Sequence, residues 1–143
     1  LQPDEVAVLL CHQHHEIAPW GELLSTRSQY LKAAGCLTDG SVRDVKRIRQ
    51  MNFPVFAGNI GPLDSKHRGK LMWYDVPGKI HGVNVNSGDF IFGDVDGVVI
   101  VPQQITAEVV EKALQKVREE NQVRGMLENG VSLARAFEEH GIL

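Results

Sequence analysis

The chain has 143 residues, of which 43% are hydrophobic and 23% charged, a composition that excludes a disordered, fibrous or membrane-spanning polypeptide and fits one folding unit. Fifteen Lys and Arg against eighteen Asp and Glu give a formal charge of -3, without the basic excess that nucleic-acid binding requires. No apolar run reaches the roughly 20 residues needed to cross a bilayer, and no signal-like segment opens the chain, so the expected compartment is the cytoplasm.

Val6 to Cys11 is an unbroken apolar run of strand length, which predicts a central strand covered on both faces. His12 to Pro19 reads as a loop. Gly21 to Ala34 carries Leu23, Leu24, Tyr30, Leu31 and Ala34 at helical spacing, so a helix starts near Trp20 and Gly21 with these residues as its apolar face, and Gly35 stops it. Cys36 to Thr38 predicts a short strand, Asp39-Gly40 a turn, and Val45 to Met51 a second helix. Pro54 to Ala57 predicts a buried strand and Gly58 to Arg68 a surface loop whose length hints at function or an interface.

From Leu71 to Val101 short strands alternate with Pro77-Gly78, Ser87-Gly88-Asp89 and Asp96-Gly97, the signature of a β-rich half. Thr106 is placed to cap a long helix from Ala107, with Val110, Ala113, Leu114 and Val117 as its apolar stripe, and Ser132 to Glu139 predicts a terminal helix. There is no internal repeat and no linker rich enough in Pro, Gly or Ser to divide the chain, so residues 1–143 are read as a single domain. Cys11 and Cys36 make no disulfide framework and are expected as buried free thiols.

Two segments carry candidate chemistry. Arg43 and Asp44 follow a strand and precede a helix, the position where α/β sheets gather ligands. An Arg fork matches a carboxylate and an Asp offers hard oxygens to a divalent cation, although an Arg-Asp dipeptide taken alone is more often a surface pair or a helix cap. Gly21, Glu22, Leu23 and Leu24 open a helix, where unpaired N–H groups favour anions, against the plainer reading of an amphipathic helix start.

His12, His14 and His15 lie just before that helix and read as a polar loop, since hard oxygen suits magnesium or manganese better than imidazole does. Asp39, Asp89, Asp94 and Asp96 read as turn residues, and Trp20, Trp73 and Tyr74 as core or interface. No Gly-rich loop after the first strand is placed to hold a nucleotide-like cofactor, which argues against a methyltransferase.

These segments, joined by Ala33-Ala34-Gly35 and Thr38-Asp39-Gly40 and followed by Pro54-Val55-Phe56-Ala57, have a known pattern. With Gly82-Val83-Asn84-Val85, Ser87-Gly88-Asp89 and Asp96-Gly97-Val98-Val99-Ile100-Val101-Pro102, the chain resembles the family of regulator of ribonuclease activity A and the metal-dependent 4-hydroxy-4-methyl-2-oxoglutarate aldolases. The resemblance runs from about Val6 to Pro102 and leaves out the family's N-terminal portion; a chain opening on Leu1-Gln2-Pro3-Asp4 is expected to lack an N-terminal piece.

The resemblance implies a swivelling β/β/α domain with C-terminal helices, assembled as a homotrimer with sites near subunit boundaries. It implies a lyase that releases pyruvate from a 2-oxo acid, with oxaloacetate decarboxylation through the same enolate. Gly21, Glu22, Leu23 and Leu24 would meet the substrate carboxylate through backbone N–H groups, Arg43 would bind substrate, and Asp44 would hold magnesium or manganese. Aldolase-active members carry an acidic residue three positions after that Asp, where this chain has Arg47. The family also offers a runner-up alternative, a non-catalytic regulator that binds a ribonuclease.

Overall fold

The computed structural model describes residues 1–12 and 14–141, which form two compact units, Leu1–Ile100 and Val101–Leu143. In the first, β1 (Val6–Leu9), β2 (Gly35–Val42) and β3 (Val55–Ile60) make a parallel sheet in the order β1-β2-β3. Two helices, α1 (Glu22–Tyr30) and α2 (Val45–Met51), connect its strands. The centre of the sheet is therefore β2, not the Val6 run: all eight β2 residues are buried, whereas β1 pairs on one side and is half-buried. Asp39-Gly40 is not a turn either. The strand passes straight through it, with a register shift between Thr38 and Ser41, and so ends at Val42, immediately before Arg43.

The core of this unit is Trp20, Cys36, Val42, Ile48 and Phe53, with the Trp20 and Phe53 rings stacked at 6.4 Å. The helix α1 starts where its spacing predicts but ends at Tyr30 rather than Ala34, Gly35 opens β2 instead of stopping the helix, and the buried face is inverted. Leu23 is 78% exposed and Tyr30 77%, while Ser25 and Ser28 are buried. Two hydrogen bonds make that possible: Trp20 Nε1 donates to Ser25 Oγ at 2.8 Å, and Ser25 Oγ donates to the Gly21 carbonyl at 3.0 Å, so the hydroxyl enters the core fully paired.

Beyond β3 the β-rich half consists of a hairpin, β4 (Gly78–Ile80) with β5 (Val83–Val85), and a pair, β6 (Phe90–Asp94) with β7 (Gly97–Val101). The hairpin turns at His81-Gly82, both at positive φ, the conformation a two-residue turn needs to match strand twist. Pro77-Gly78 leads into that hairpin rather than closing it.

In the second unit a short 3₁₀ turn leads into α3 (Thr106–Glu128), followed by α4 (Leu133–His140). Thr106 does not cap from outside: it is the first residue of α3 and its hydroxyl donates to the Pro102 carbonyl at 3.1 Å. Ser132 does cap α4, accepting from the Arg135 N–H at 3.3 Å. The predicted α3 stripe is exposed at Leu114 and Val117, and the buried position is Val123. Among the described residues no helix is long and apolar enough to cross a membrane.

Candidate functional site

The end of β2 and the start of α1 meet at one place. The backbone of Trp20 runs parallel to Val42, and the Arg43 N–H donates to the Trp20 carbonyl at 3.0 Å, which brings Gly21 against Arg43 and Asp44. The approach is close. A Cβ built on Gly21 would lie 2.8 Å from Asp44 Oδ2 and 3.0 Å from both Cγ and Nε of Arg43. The backbone at Gly21 is extended, so the position needs glycine for space and not for conformation.

Asp44 sits in the left-handed region at φ 59, a conformation Asp tolerates better than most residues. Its side chain does not cap α2. It turns instead to α1, where Oδ2 accepts from the Glu22 N–H at 3.2 Å across 22 residues of sequence. The first rung of α1 is Ser25 N–H to the Gly21 carbonyl at 3.1 Å, so the N–H groups of Leu23 and Leu24 lie ahead of the ladder. The structure thus brings Gly21, Glu22, Arg43 and Asp44 together, with Leu23 and Leu24 contributing backbone while their side chains face outward.

Arg43 is half-buried. Its Nη1 donates to the Ala18 carbonyl at 3.1 Å and to Asp64 Oδ1 at 2.8 Å, and its Nε stands 3.7 Å from Asp44 Oδ2. Asp64 comes from the Gly58–Arg68 segment, whose first residues extend β3 and whose later ones dock by a parallel bridge between Ala18 and Asp64. The Lys66 N–H bond first, and then the Arg43 charge and hydrogen bond, hold its carboxyl below the ordinary Asp range against the desolvation that opposes them. The chain pattern alone does not single out Asp64; the visible signal is a loop of that length carrying Pro62, Asp64 and Arg68.

A shallow depression of about 330 Å³ opens beside Arg43 and Asp44, lined also by Val42, Val45, Ile60, Gly61 and Pro62. An adjoining apolar depression of about 210 Å³ shares Val42, Val45 and Ile60 and reaches Ile48 and Phe53. Among the described residues no three His, Cys, Asp or Glu side chains cluster as a metal cage. Asp44 offers a half-exposed carboxylate, a sparse donor set that suits magnesium or manganese, which keep several waters and take one or two carboxylates plus substrate oxygens. Arg47 does not intrude, since its guanidinium donates to Gln50 Oε1 at 3.5 Å along α2.

His14 and His15 are partnered by groups other than Arg43 and Asp44. His15 Nδ1 bonds the Asp39 carbonyl at 2.8 Å and its ring stacks on His81, while His14 pairs with Glu16 at 3.9 Å. Asp39 is not a turn residue: it is buried in β2, where Oδ1 accepts from the Cys11 N–H at 2.5 Å. Trp20 is core, whereas Trp73 and Tyr74 are exposed.

A sequence model of the RraA-like, Aldolase/RraA family matches residues 1–100. The chain belongs to that family. Over 117 residues it is 30% identical to a putative 4-hydroxy-4-methyl-2-oxoglutarate aldolase of Halalkalibacterium halodurans, covering 82% of this chain and 55% of that protein. Its fold is that of the family: a protein from Pseudomonas syringae pv. tomato superimposes with a TM-score of 0.92 at 28% identity, covering 95% of this chain and 68% of its own. Streptomyces coelicolor RraAS2, described as an unusual member of the RNase ES inhibitor RraA protein family, superimposes with a TM-score of 0.77 at 28% identity, covering 87% and 63%. The chain spans between 20% and 61% of the length of the first curated relatives it matches.

Proposed function

We propose that this chain is the site-bearing part of a divalent-metal-dependent lyase that cleaves a carbon–carbon bond of a small 2-oxo acid and releases pyruvate, working as a homotrimer. The observation that carries this reading is the convergence of Gly21, the α1 start, Arg43 and Asp44 within about one side-chain width, with a Cβ on Gly21 only 2.8 Å from Asp44 Oδ2. A 2-oxo acid has a carboxylate and a carbonyl side by side. The N–H groups of Leu23 and Leu24, ahead of the first α1 rung, and the positive end of α1 suit the carboxylate. The guanidinium of Arg43 supplies fixed positive charge where an enolate oxygen develops.

Asp44 would hold magnesium or manganese, which when bound supplies Lewis-acid charge to the oxo group. Gly21 lets Arg43 and Asp44 close on the α1 start, and the apolar wall of Val42, Val45 and Ile60 limits water on one side of the depression. Oxaloacetate decarboxylation requires no base for a hydroxyl and is therefore the simplest reaction to assay; cleavage of 4-hydroxy-4-methyl-2-oxoglutarate additionally requires one.

The test is pyruvate release from both substrates with magnesium or manganese and with chelator. Metal-dependent release is expected, reduced at least about a hundredfold in Arg43→Ala and Asp44→Asn, the latter chosen because Asn also adopts the left-handed conformation and still accepts from the Glu22 N–H. Full turnover by Asp44→Asn at saturating metal overturns the metal assignment. A second reading, a regulator that binds a ribonuclease, rests on the likeness to RraAS2; co-purification with a ribonuclease and no turnover above the metal-only background would favour it.

A further inference from the structure

Arg43 carries five N–H donors in a planar fork, and a carboxylate or an oxo acid is gripped bidentately along one edge of that fork. Which edge is open decides what the residue can do. Both protons of Nη1 are engaged, one by the Ala18 carbonyl at 3.1 Å and one by Asp64 Oδ1 at 2.8 Å. Nε stands 3.7 Å from Asp44 Oδ2, outside hydrogen-bond reach, and 3.0 Å from where a Cβ on Gly21 would lie. Among the described residues the edge without a hydrogen bond is Nε with Nη2, and its Nε end lies at the α1 start.

The two acceptors on Nη1 are themselves fixed. Ala18 is fully buried, the Ala18 N–H donates to the Leu63 carbonyl at 2.8 Å, and residues 18 and 64 form a parallel bridge. Asp64 Oδ1 also accepts from the Lys66 N–H at 3.1 Å, which locks the carboxylate's direction from within its own loop. Charge points the same way. One guanidinium stands between two carboxylates, and the contact to Asp64, at 2.8 Å against 3.7 Å to Asp44, is the close one.

We propose that Asp64 is a positioning residue for Arg43: with the Ala18 carbonyl it occupies Nη1, turns the Nε and Nη2 edge toward the ligand, and keeps the guanidinium from closing on Asp44. This rests on the reading of Arg43 as the substrate-binding group. In its absence the nearest carboxylate to the guanidinium would be Asp44.

The test pairs kinetics with a readout that needs no turnover. Pyruvate release from oxaloacetate at saturating manganese is measured for the native chain, Arg43→Ala, Asp64→Ala and Asp64→Asn. Asp64→Ala is expected to lower kcat/KM about tenfold or more, mainly through KM, and Asp64→Asn to recover most of it, because an amide oxygen still accepts from Nη1. In parallel the heteronuclear NOE of the Arg43 Nε–H, identified by its disappearance in Arg43→Lys, is expected to be rigid in the native chain, mobile in Asp64→Ala and rigid again in Asp64→Asn.

Kinetic constants of Asp64→Ala within twofold of the native chain, while Arg43→Ala is inactive, would overturn the proposal. So would an unchanged Arg43 NOE. Should the native chain release no pyruvate at all, it is the lyase reading that fails, and the NOE alone then decides whether Asp64 orders Arg43.

Discussion

At the scale of single residues, Gly21 is the most sharply constrained position of the site. Its φ of -162 is open to any residue, and the atoms a methyl group would meet belong to the side chains of Asp44 and Arg43 and not to backbone. Gly21→Ala is therefore expected to fold, with a stability change within about 1 kcal/mol, yet to push both functional side chains out of register and lower turnover at least tenfold. Thermal unfolding beside pyruvate assays checks it, and a Gly21→Ala protein with native turnover would remove the close approach as a functional element. Arg43 and Asp44 were legible in the sequence because a planar cation and a hard anion sit side by side between a strand and a helix. Asp64 was not, since its contact with Arg43 is made by a chain crossing that no local pattern encodes.

At the scale of elements, β2 shows why local rules misread the sheet. Asp39-Gly40 is a strong turn dipeptide, but here glycine serves close packing: a Cβ on Gly40 would lie 2.7 Å from Cys11 Sγ, and one on Gly58 would lie 2.5 Å from the Asp39 carbonyl oxygen. The polar groups of β2 are buried because each is paired, Thr38 Oγ1 with the Gly40 N–H at 3.0 Å and Ser41 Oγ with the His15 carbonyl at 2.7 Å. The same pairing inverts the face of α1, where spacing located the helix but could not reveal that Ser25 would be satisfied inside. Within β2, burial holds the Cys36 thiol far above its ordinary range. A raised folded-state value contributes stability that is present below the unfolded value, near about 8.5, and is lost as pH rises beyond it. Unfolding free energy is thus expected to fall by up to about 1.4 kcal/mol per pH unit above that point, the unfolded chain ionising where the folded one does not. Urea melts at a series of pH values test this: Cys36→Ala should lie lower throughout with a flatter alkaline limb, and an identical limb would show that the thiol is not the cause.

At the scale of the whole molecule, the exposed apolar surface argues for association. In the first unit the run Leu71, Met72, Trp73, Tyr74 and Val76 is open to solvent, with Trp73 65% and Tyr74 84% exposed. Met, Trp and Tyr are the side chains that interface cores collect, and a monomer seldom leaves such a run uncovered. The sequence pattern assigned Trp73 and Tyr74 to core or interface, and their exposure in one chain removes the first of these. The homotrimer proposed above is expected to cover them. Sedimentation equilibrium is then expected to give about three times the 15.9 kDa of one chain. Because Trp20 and Trp73 are the two tryptophans and Trp20 lies in the core, Trp20→Phe leaves Trp73 as a single reporter, whose emission should be shielded from iodide at assembly concentrations and accessible on dilution. Replacing Trp73 and Tyr74 with Ser should shift the mass toward the monomer while leaving the urea midpoint of the isolated chain nearly unchanged, since neither side chain is buried within it. A native chain that sediments at 15.9 kDa with Trp73 freely quenched would mean that this surface belongs to some other contact, and the trimer would be abandoned.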